Sequence, residues 1–171
     1  MDYHETFASV AKMDSIRLVL AISASKHWEV HHVDVKSAFL HGDLHEEMYM
    51  KQPEGYITDP YFVCKLKKSL YELKQAPREW YSKMDAFLLS QNFQRCRSDP
   101  NVCIQQYDGH LIIIVLYVDD LLITGSIVAS ISAIKTALHN AFEMSNLGLL
   151  KQFLGLEIEK NSDGIMVTQS K

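Results

Sequence analysis

The sequence has little of what would place it in several common classes of protein. Its three cysteines are neither paired nor spaced like a metal-binding knuckle (Cys64, Cys96 and Cys103). The cysteines therefore indicate neither a disulfide framework nor a zinc knuckle, and a reducing setting is expected. The longest apolar run, residues 111–118, is too short to cross a bilayer, and the first residues lack a basic leader followed by an apolar stretch. We expect neither secretion nor membrane insertion.

An excess of charge of one sign is lacking too. The chain has 17 basic and 21 acidic residues, a net charge of −4, which gives no overall attraction for nucleic acid or for an anionic membrane surface. The charges are unevenly distributed, with six acidic and two basic residues in 34–60 but eight basic and three acidic residues in 61–97. The second segment indicates either a local basic stripe or an ordinary solvated face.

What is present is a chain able to build one core. Its 171 residues are 47% hydrophobic and 22% charged, and no repeat or Pro/Gly/Ser-rich linker divides them, which indicates a single globular unit. Apolar spacing predicts a helix over 14–26, capped by Asp14 or Ser15. A strand over 30–35 follows, in which Asp34 lies on the face opposite Val33 and Val35.

Further along the chain the patterns alternate between strand and helix. Turn residues between 48–50 and 61–66 favour a finger-like hairpin, and Pro77 suits the first turn of an amphipathic helix. The remaining predicted elements are strands at 102–107, 110–118 and 121–124, a helix over 127–142 and a closing hairpin of 153–159 with 165–169. The main order, β-α-β-β-α-β, is typical of a ferredoxin-like split βαβ sheet, an α+β fold.

Three carboxylates carry the strongest chemical signal. Asp119 and Asp120 interrupt an apolar hairpin, which is costly unless water, a metal ion or hydrogen bonds compensate the charges. If the strand ending at Asp34 lies beside residues 111–118, the three side chains meet at one rim of the sheet. Oxygen ligands of this kind favour magnesium or manganese, and two such ions suit phosphoryl transfer. The alternative is that Asp119 and Asp120 form only a polar turn.

The sequence gives little indication of a histidine metal site or of a serine nucleophile. His41 and His45 have a helical metal spacing but no third ligand, and His31 and His32 point to opposite faces of a strand. No Gly-x-Ser-x-Gly pattern supports a nucleophilic triad.

Four ordered blocks resemble the palm motifs of copia-type retrotransposon reverse transcriptases. They are VDVKSAFLHG at 33–42, LYELKQAPREWY at 70–81, YVDD at 117–120 and FLGLEI at 153–158. The resemblance implies a reverse-transcriptase palm, with helices on one face of the sheet and a partial fingers appendage, within a fragment spanning 1–171 that lacks the thumb and ribonuclease H. Ala8 and Ser9 depart from the Ser-Pro commonly seen near the start of this family's segment.

The resemblance also implies roles for individual residues. Asp34, Asp119 and Asp120 would be catalytic and would hold two Mg²⁺ ions, with Mn²⁺ possible. Phe39 would be an aromatic gate that crowds a ribose 2′-hydroxyl, and the residues nearest the incoming nucleotide would be Gln75, Lys74 and Arg78. The primer end would be contacted by Tyr117, Val118, Phe153, Leu154 and Gly155.

The implied function is that of an RNA-directed DNA polymerase core, a nucleotidyltransferase. Its partners would be an RNA or DNA template with its primer, deoxynucleoside triphosphates and the remaining polyprotein segments of the parent element, with no membrane. An intracellular location, in a cytoplasmic particle or the nucleus, is expected. Two alternatives stay open: a truncated, non-catalytic remnant that at most binds nucleic acid, and a small two-metal nuclease or cyclase on the same sheet.

Overall fold

Backbone hydrogen bonding in the computed structural model divides the chain into three helices and several antiparallel sheets, described for residues 8–161 and 164–169. In chain order the elements are α1 (Met13–Ser25), β1 (Val30–Val35), a 3₁₀ helix (Ala38–His41), β2 (Tyr49–Lys51), β3 (Val63–Lys65), α2 (Ala76–Ser90), β4 (Gln94–Arg95), β5 (Val102–Tyr107), β6 (His110–Tyr117), β7 (Asp120–Gly125), α3 (Val128–Ala141), β8 (Met144–Leu149), β9 (Gln152–Phe153), β10 (Leu156–Asn161) and β11 (Gly164–Thr168). The prediction that helices and antiparallel strands are combined in one chain is confirmed. No helix in the described ranges has the length and apolar character needed to span a bilayer.

The described residues form two compact units. The first contains Ser37–Phe87 with Ala8, and the second contains Ser9–Lys36 with the described residues from Leu88 onward. The boundary falls within α2. Residues 1–7, which precede Ala8 and Ser9, lie outside the described residues.

The first unit contains the predicted hairpin of β2 and β3. Near its base, Asp43 forms a β-bridge with Lys68 and ion pairs with Lys68 and Lys83. Trp80 and Met84 of α2 are buried, as the helical spacing predicted. Pro77 is the second residue of this helix, where a missing N–H costs no helical hydrogen bond.

The second unit is built around a six-stranded antiparallel sheet of order β4-β5-β6-β7-β1-β8. The β5–β6 turn consists of Asp108 and Gly109, both with positive φ, at 48° and 75°, the conformation that a two-residue hairpin turn requires. Residues 112–116 of β6 are all buried, so the apolar run forms a central strand as predicted.

Both faces of the large sheet are covered. One face, including Val30, Ile113 and Leu122, packs with α1 and with residues of the β9–β11 sheet in a single apolar cluster. α3 contacts β7, and its Ile134 lines a cleft with Ile112, which points to the opposite face. The expectation of helices on one face is therefore wrong for α1. A strand that is apolar on both sides needs cover on both.

Two predicted strand relationships differ in the structure. β1 pairs with β7 and β8, not with the strand over 111–118. The strand that follows α3 in the large sheet is β8, whereas the predicted closing hairpin forms a separate sheet of order β11-β10-β9. β8 has the sequence MSNLGL, with no β-branched residue, so its strand state comes from pairing with β1 and not from local propensity. Part of the predicted closing turn, residues 162–163, lies outside the described residues.

β8 contains an irregularity opposite His32 and Val33. His32 pairs with Gly148 but Val33 pairs with Asn146, so Leu147 is an extra residue on the β8 side. Gly148 has φ of 79°, a conformation that glycine adopts without steric cost. Its N–H donates to the side-chain oxygen of Asn146 at 3.1 Å. The arrangement is a β-bulge at the edge of the sheet.

The start of α1 is held by a distant carboxylate. The predicted caps Asp14 and Ser15 are wrong as N-caps, because the helix begins at Met13 after Lys12, whose side chain makes no capping bond. Asp99, only 2% exposed, accepts the backbone N–H of Lys12 at 2.8 Å. Burial by itself raises the pKa of Asp99, but hydrogen bonds from Ser15, Lys12 and Asn101 outweigh it and hold that pKa below its ordinary value.

We expect Asp99→Asn to lower the free energy of unfolding by about 1–3 kcal/mol at neutral pH, because buried donors lose their charged acceptor. Since the folded pKa of Asp99 is depressed, its stabilising contribution is present above the unfolded value of about 3.9 and is lost as the pH falls through the folded pKa. Urea unfolding at neutral pH and at about pH 2 measures both effects. The exposed first-turn residue Asp14 supplies the control, Asp14→Asn. Equal losses in both variants would contradict this role of Asp99.

Candidate active site

Two of the three predicted catalytic aspartates lie directly opposite each other. Asp34 in β1 and Asp120 in β7 are paired residues of the antiparallel ladder, and directly opposed residues project from the same face of a sheet. The backbone oxygen of Asp119 accepts the N–H of Val35 at 2.8 Å. The structure therefore brings the three backbone positions together, although through β7 and not through the predicted neighbour of β1.

The β6–β7 turn has an unusual backbone. Tyr117 pairs with Asp120, so the two-residue turn consists of Val118 and Asp119. Val118 has φ of 57°, a value that is rare for a β-branched residue and costs roughly 1–3 kcal/mol. The predicted hairpin tip is confirmed for Asp119, while Asp120 is already the first residue of β7.

The carboxylates at this turn influence one another electrostatically. Burial raises the pKa of Asp119 above its ordinary value, a hydrogen bond from its own backbone N–H opposes this, and the negative charges of Asp120 and Asp34 add to the rise. The three charges are thus close enough to repel in a partly desolvated environment.

Asp120 is also bonded to a histidine. Its Oδ1 lies 2.6 Å from Nε2 of His32. Among the described residues, no three His, Cys, Asp or Glu side chains are grouped so that they could hold a metal ion together. The strand register therefore places Asp34, Asp119 and Asp120 near one another, and their charges affect the pKa of Asp119. Their side chains are not arranged as three ligands of one metal ion.

The sequence interpretation missed His32. It separated His31 and His32 onto opposite faces of β1, and the contacts agree, because His31 is near Glu29 at 3.1 Å and Lys135 at 3.5 Å instead. The signal that could have found His32 is its position two residues before Asp34, which puts both side chains on one face of the strand.

Aromatic rings border the aspartates on the same face. The rings of Tyr117 and Phe153 are 6.2 Å apart, and Phe153 lies 5.5 Å from the ring of His32 in an edge-on arrangement. Leu154 and Gly155, with φ of 51° and 77°, form the tight turn between β9 and β10. Of the residues predicted to contact the primer, Tyr117 and Phe153 are thus brought together, and Leu154 and Gly155 follow directly.

The residues predicted to contact the nucleotide belong to the other compact unit: Phe39, Lys74, Gln75 and Arg78. The rings of Phe39 and Tyr71 are 4.7 Å apart, and Nε2 of Gln75 lies 2.6 Å from the sulfur of Met48. These contacts are internal to the first unit. His41 and His45 form no metal pair, since the ring of His41 packs 5.8 Å from Trp80 and His45 lies 3.6 Å from Glu79.

Comparison with known proteins connects these features. The family model described as reverse transcriptase (RNA-dependent DNA polymerase) matches residues 1–171. The chain is 47% identical, over its whole length, to 13% of the retrovirus-related Pol polyprotein from transposon TNT 1-94 of Nicotiana tabacum. It is 38% identical, again over its whole length, to 12% of the corresponding polyprotein from transposon RE2 of Arabidopsis thaliana.

The similarity extends to yeast at lower identity. A transposon Ty1-NL2 Gag-Pol polyprotein of Saccharomyces cerevisiae is 28% identical over 82% of this chain and 8% of its own length. No solved structure matches. The chain spans about an eighth of the plant polyproteins. It belongs to the reverse transcriptase (RNA-dependent DNA polymerase) family, in the copia-type retrotransposon branch that its four sequence blocks indicated.

Proposed function

We propose that this chain is the polymerase core of a copia-type element and adds deoxynucleotides to a primer 3′-hydroxyl on an RNA or DNA template. The observation that carries the proposal is the opposition of Asp34 and Asp120 across β1 and β7, with Asp119 in the adjoining turn. The family match supports the same reaction class. In the parent element, the remaining polyprotein segments would accompany this core.

We further propose that the second unit is a reverse-transcriptase palm of the ferredoxin-like split βαβ type. Four neighbouring strands have the order β6-β7-β1-β8. α2 separates β1 from β6 in sequence, and α3 separates β7 from β8. This order of strands and helices is what two interleaved βαβ units produce. The first unit, with its β2–β3 hairpin, would be part of the fingers.

The chemistry of the three side chains fits divalent cations. Carboxylate oxygens are hard ligands suited to Mg²⁺ or Mn²⁺, and a cation would relieve the repulsion that contributes to the raised pKa of Asp119. Asp34, Asp119 and Asp120 would hold two such ions. When bound, the ions would activate the primer hydroxyl and neutralise charge on the triphosphate.

The remaining predicted residues would position substrates. Tyr117 and Phe153 form the aromatic border on the face that carries Asp34 and Asp120, and with Val118, Leu154 and Gly155 they would contact the primer end. In the other unit, Phe39 would select the sugar of the incoming deoxynucleoside triphosphate, and Gln75, Lys74 and Arg78 would contact its base or phosphates.

We expect Asp119→Asn to reduce primer extension on an RNA template by about a hundredfold or more, because metal ligands supply several kcal/mol to such reactions. The variant should remain folded, since the substitution removes a partly buried charge whose ionised form destabilises the folded state. Extension of a labelled primer with Mg²⁺ and deoxynucleotides measures the effect, and thermal unfolding checks the fold.

Asp108→Asn is the matched control. Asp108 lies in the β5–β6 turn, at the opposite end of β6 from Asp119, and Asn tolerates the positive φ at this position. Equal incorporation by wild type and Asp119→Asn would exclude catalysis at this site. Binding of primer-template without any extension by wild type would support the non-catalytic remnant.

We expect Phe39→Val to increase incorporation of ribonucleotides relative to deoxynucleotides by about tenfold or more, because a smaller side chain would no longer crowd the 2′-hydroxyl. Single-nucleotide extension with each triphosphate gives the ratio of kcat/KM values. Phe62→Val makes the same change at a residue that is 66% exposed and should leave the ratio unaltered. An unchanged ratio in Phe39→Val would remove Phe39 from sugar selection.

A further inference from the structure

His32 makes the shortest described contact to any of the three aspartates. Its Nε2 is 2.6 Å from Oδ1 of Asp120, and both side chains are partly buried, at 14% and 26% exposure. His32 precedes Asp34 by two residues on β1 and pairs with Leu122 of β7. It therefore projects from the same face as Asp34 and Asp120.

The chemistry of the two groups fixes the direction of this bond. A carboxylate that ligates a cation is ionised and can only accept hydrogen bonds, so in that state Nε2 of His32 is the donor. The contact engages Oδ1 of Asp120 and not Oδ2. A bond to one oxygen restricts rotation of the carboxylate and leaves Oδ2 available to a cation.

The histidine ring is itself held in place. Phe153 packs against it at 5.5 Å with an interplanar angle of 80°, and Phe153 is only 2% exposed. The ring of Tyr117 adjoins Phe153 at 6.2 Å. The imidazole thus packs against Phe153, and Phe153 is in turn backed by Tyr117 at the end of β6. This packing limits the rotamers open to His32.

We propose that His32 is a positioning residue that orients the carboxylate of Asp120 for divalent cation binding. The inference rests on the proposed function, because it assigns Asp120 to the cation site. Ligating carboxylates depend on the groups that hydrogen-bond to them, and loss of such a group typically weakens metal affinity about 10–100-fold. His32 acts through Asp120 and contacts no substrate in this role.

Binding of manganese(II) chloride, followed by the loss of the free-ion electron paramagnetic resonance signal, tests the proposal without requiring catalysis. We expect His32→Asn to weaken Mn²⁺ affinity by about tenfold or more, because its amide is too short to replace Nε2. His32→Gln can place an amide N–H where Nε2 lies, and it should restore most of the affinity.

His31→Asn is the matched control. His31 is the neighbouring residue of β1, is equally exposed at 14% and is likewise bonded to a carboxylate, that of Glu29. It projects from the other face of the strand, so its replacement should leave Mn²⁺ affinity unchanged. Melting temperatures without metal verify that all three variants are folded.

The outcomes separate this inference from the proposed function. Wild-type affinity in His32→Asn, with binding lost in Asp119→Asn, would overturn the role of His32 and leave the cation site intact. Equal weakening in His32→Gln and His32→Asn would also overturn it, because the hydrogen bond would then be irrelevant. Absence of Mn²⁺ binding by the wild type would reject the cation site and the inference with it.

If His32→Asn does not fold, the wild-type chain can be tested directly. Nitrogen-15 resonances of the histidine rings, recorded during addition of Mg²⁺, should shift for Nε2 of His32 and remain constant for Nε2 of His31. No shift at His32 when Mg²⁺ binds would overturn the proposal.

Discussion

The backbone pairing of β1 with β7 forces like charges together. Asp34 opposes Asp120 in the ladder, and Asp119 is tied to β1 through its backbone oxygen. The repulsion is tolerated because the same strands bury Val33, Leu121 and the residues around them, and burial of each large apolar side chain contributes about 1.5–3 kcal/mol. The fold thus supplies the free energy that holds an unfavourable charge arrangement in place, as is common at functional sites.

Polar groups at a distance from the aspartates keep the surrounding elements in register. Thr124 of β7 donates to the backbone oxygen of Glu29 at 2.8 Å, and its hydroxyl lies 3.0 Å from that of Ser23 in α1. Asp99 anchors the beginning of the same helix. These bonds hold the end of α1 to β7 and its beginning to the loop between β4 and β5. The surroundings of β1 and β7 are thus supported by contacts that do not involve Asp34, Asp119 or Asp120.

Local hydrophobic patterns correctly predicted those elements in which the apolar residues recur with the period of the helix or strand. The alternation in β1, the apolar run of β6 and the spacing of Ile131, Ile134 and Leu138 in α3 all gave the correct element. What could not be predicted depends on residues far apart in the chain. β8 is a strand because it pairs with β1, and α1 is capped by a residue 87 positions away. The bond from His32 to Asp120 likewise exists only once β1 and β7 are paired. The order of the motifs singled out Asp34, Asp119 and Asp120. The residues that contact them could be found only from the folded structure.

The bulge in β8 affects how the outer edge of the large sheet meets other molecules. Among the strands of the described ranges, β8 is hydrogen-bonded only to β1, and Leu147 and Leu149 are about half exposed. A regular strand of this kind would present a continuous template for cross-chain β-pairing and aggregation. The extra residue at Leu147 and the left-handed Gly148 interrupt that template, so the distortion beside His32 makes this edge a poorer partner for a strand of another chain.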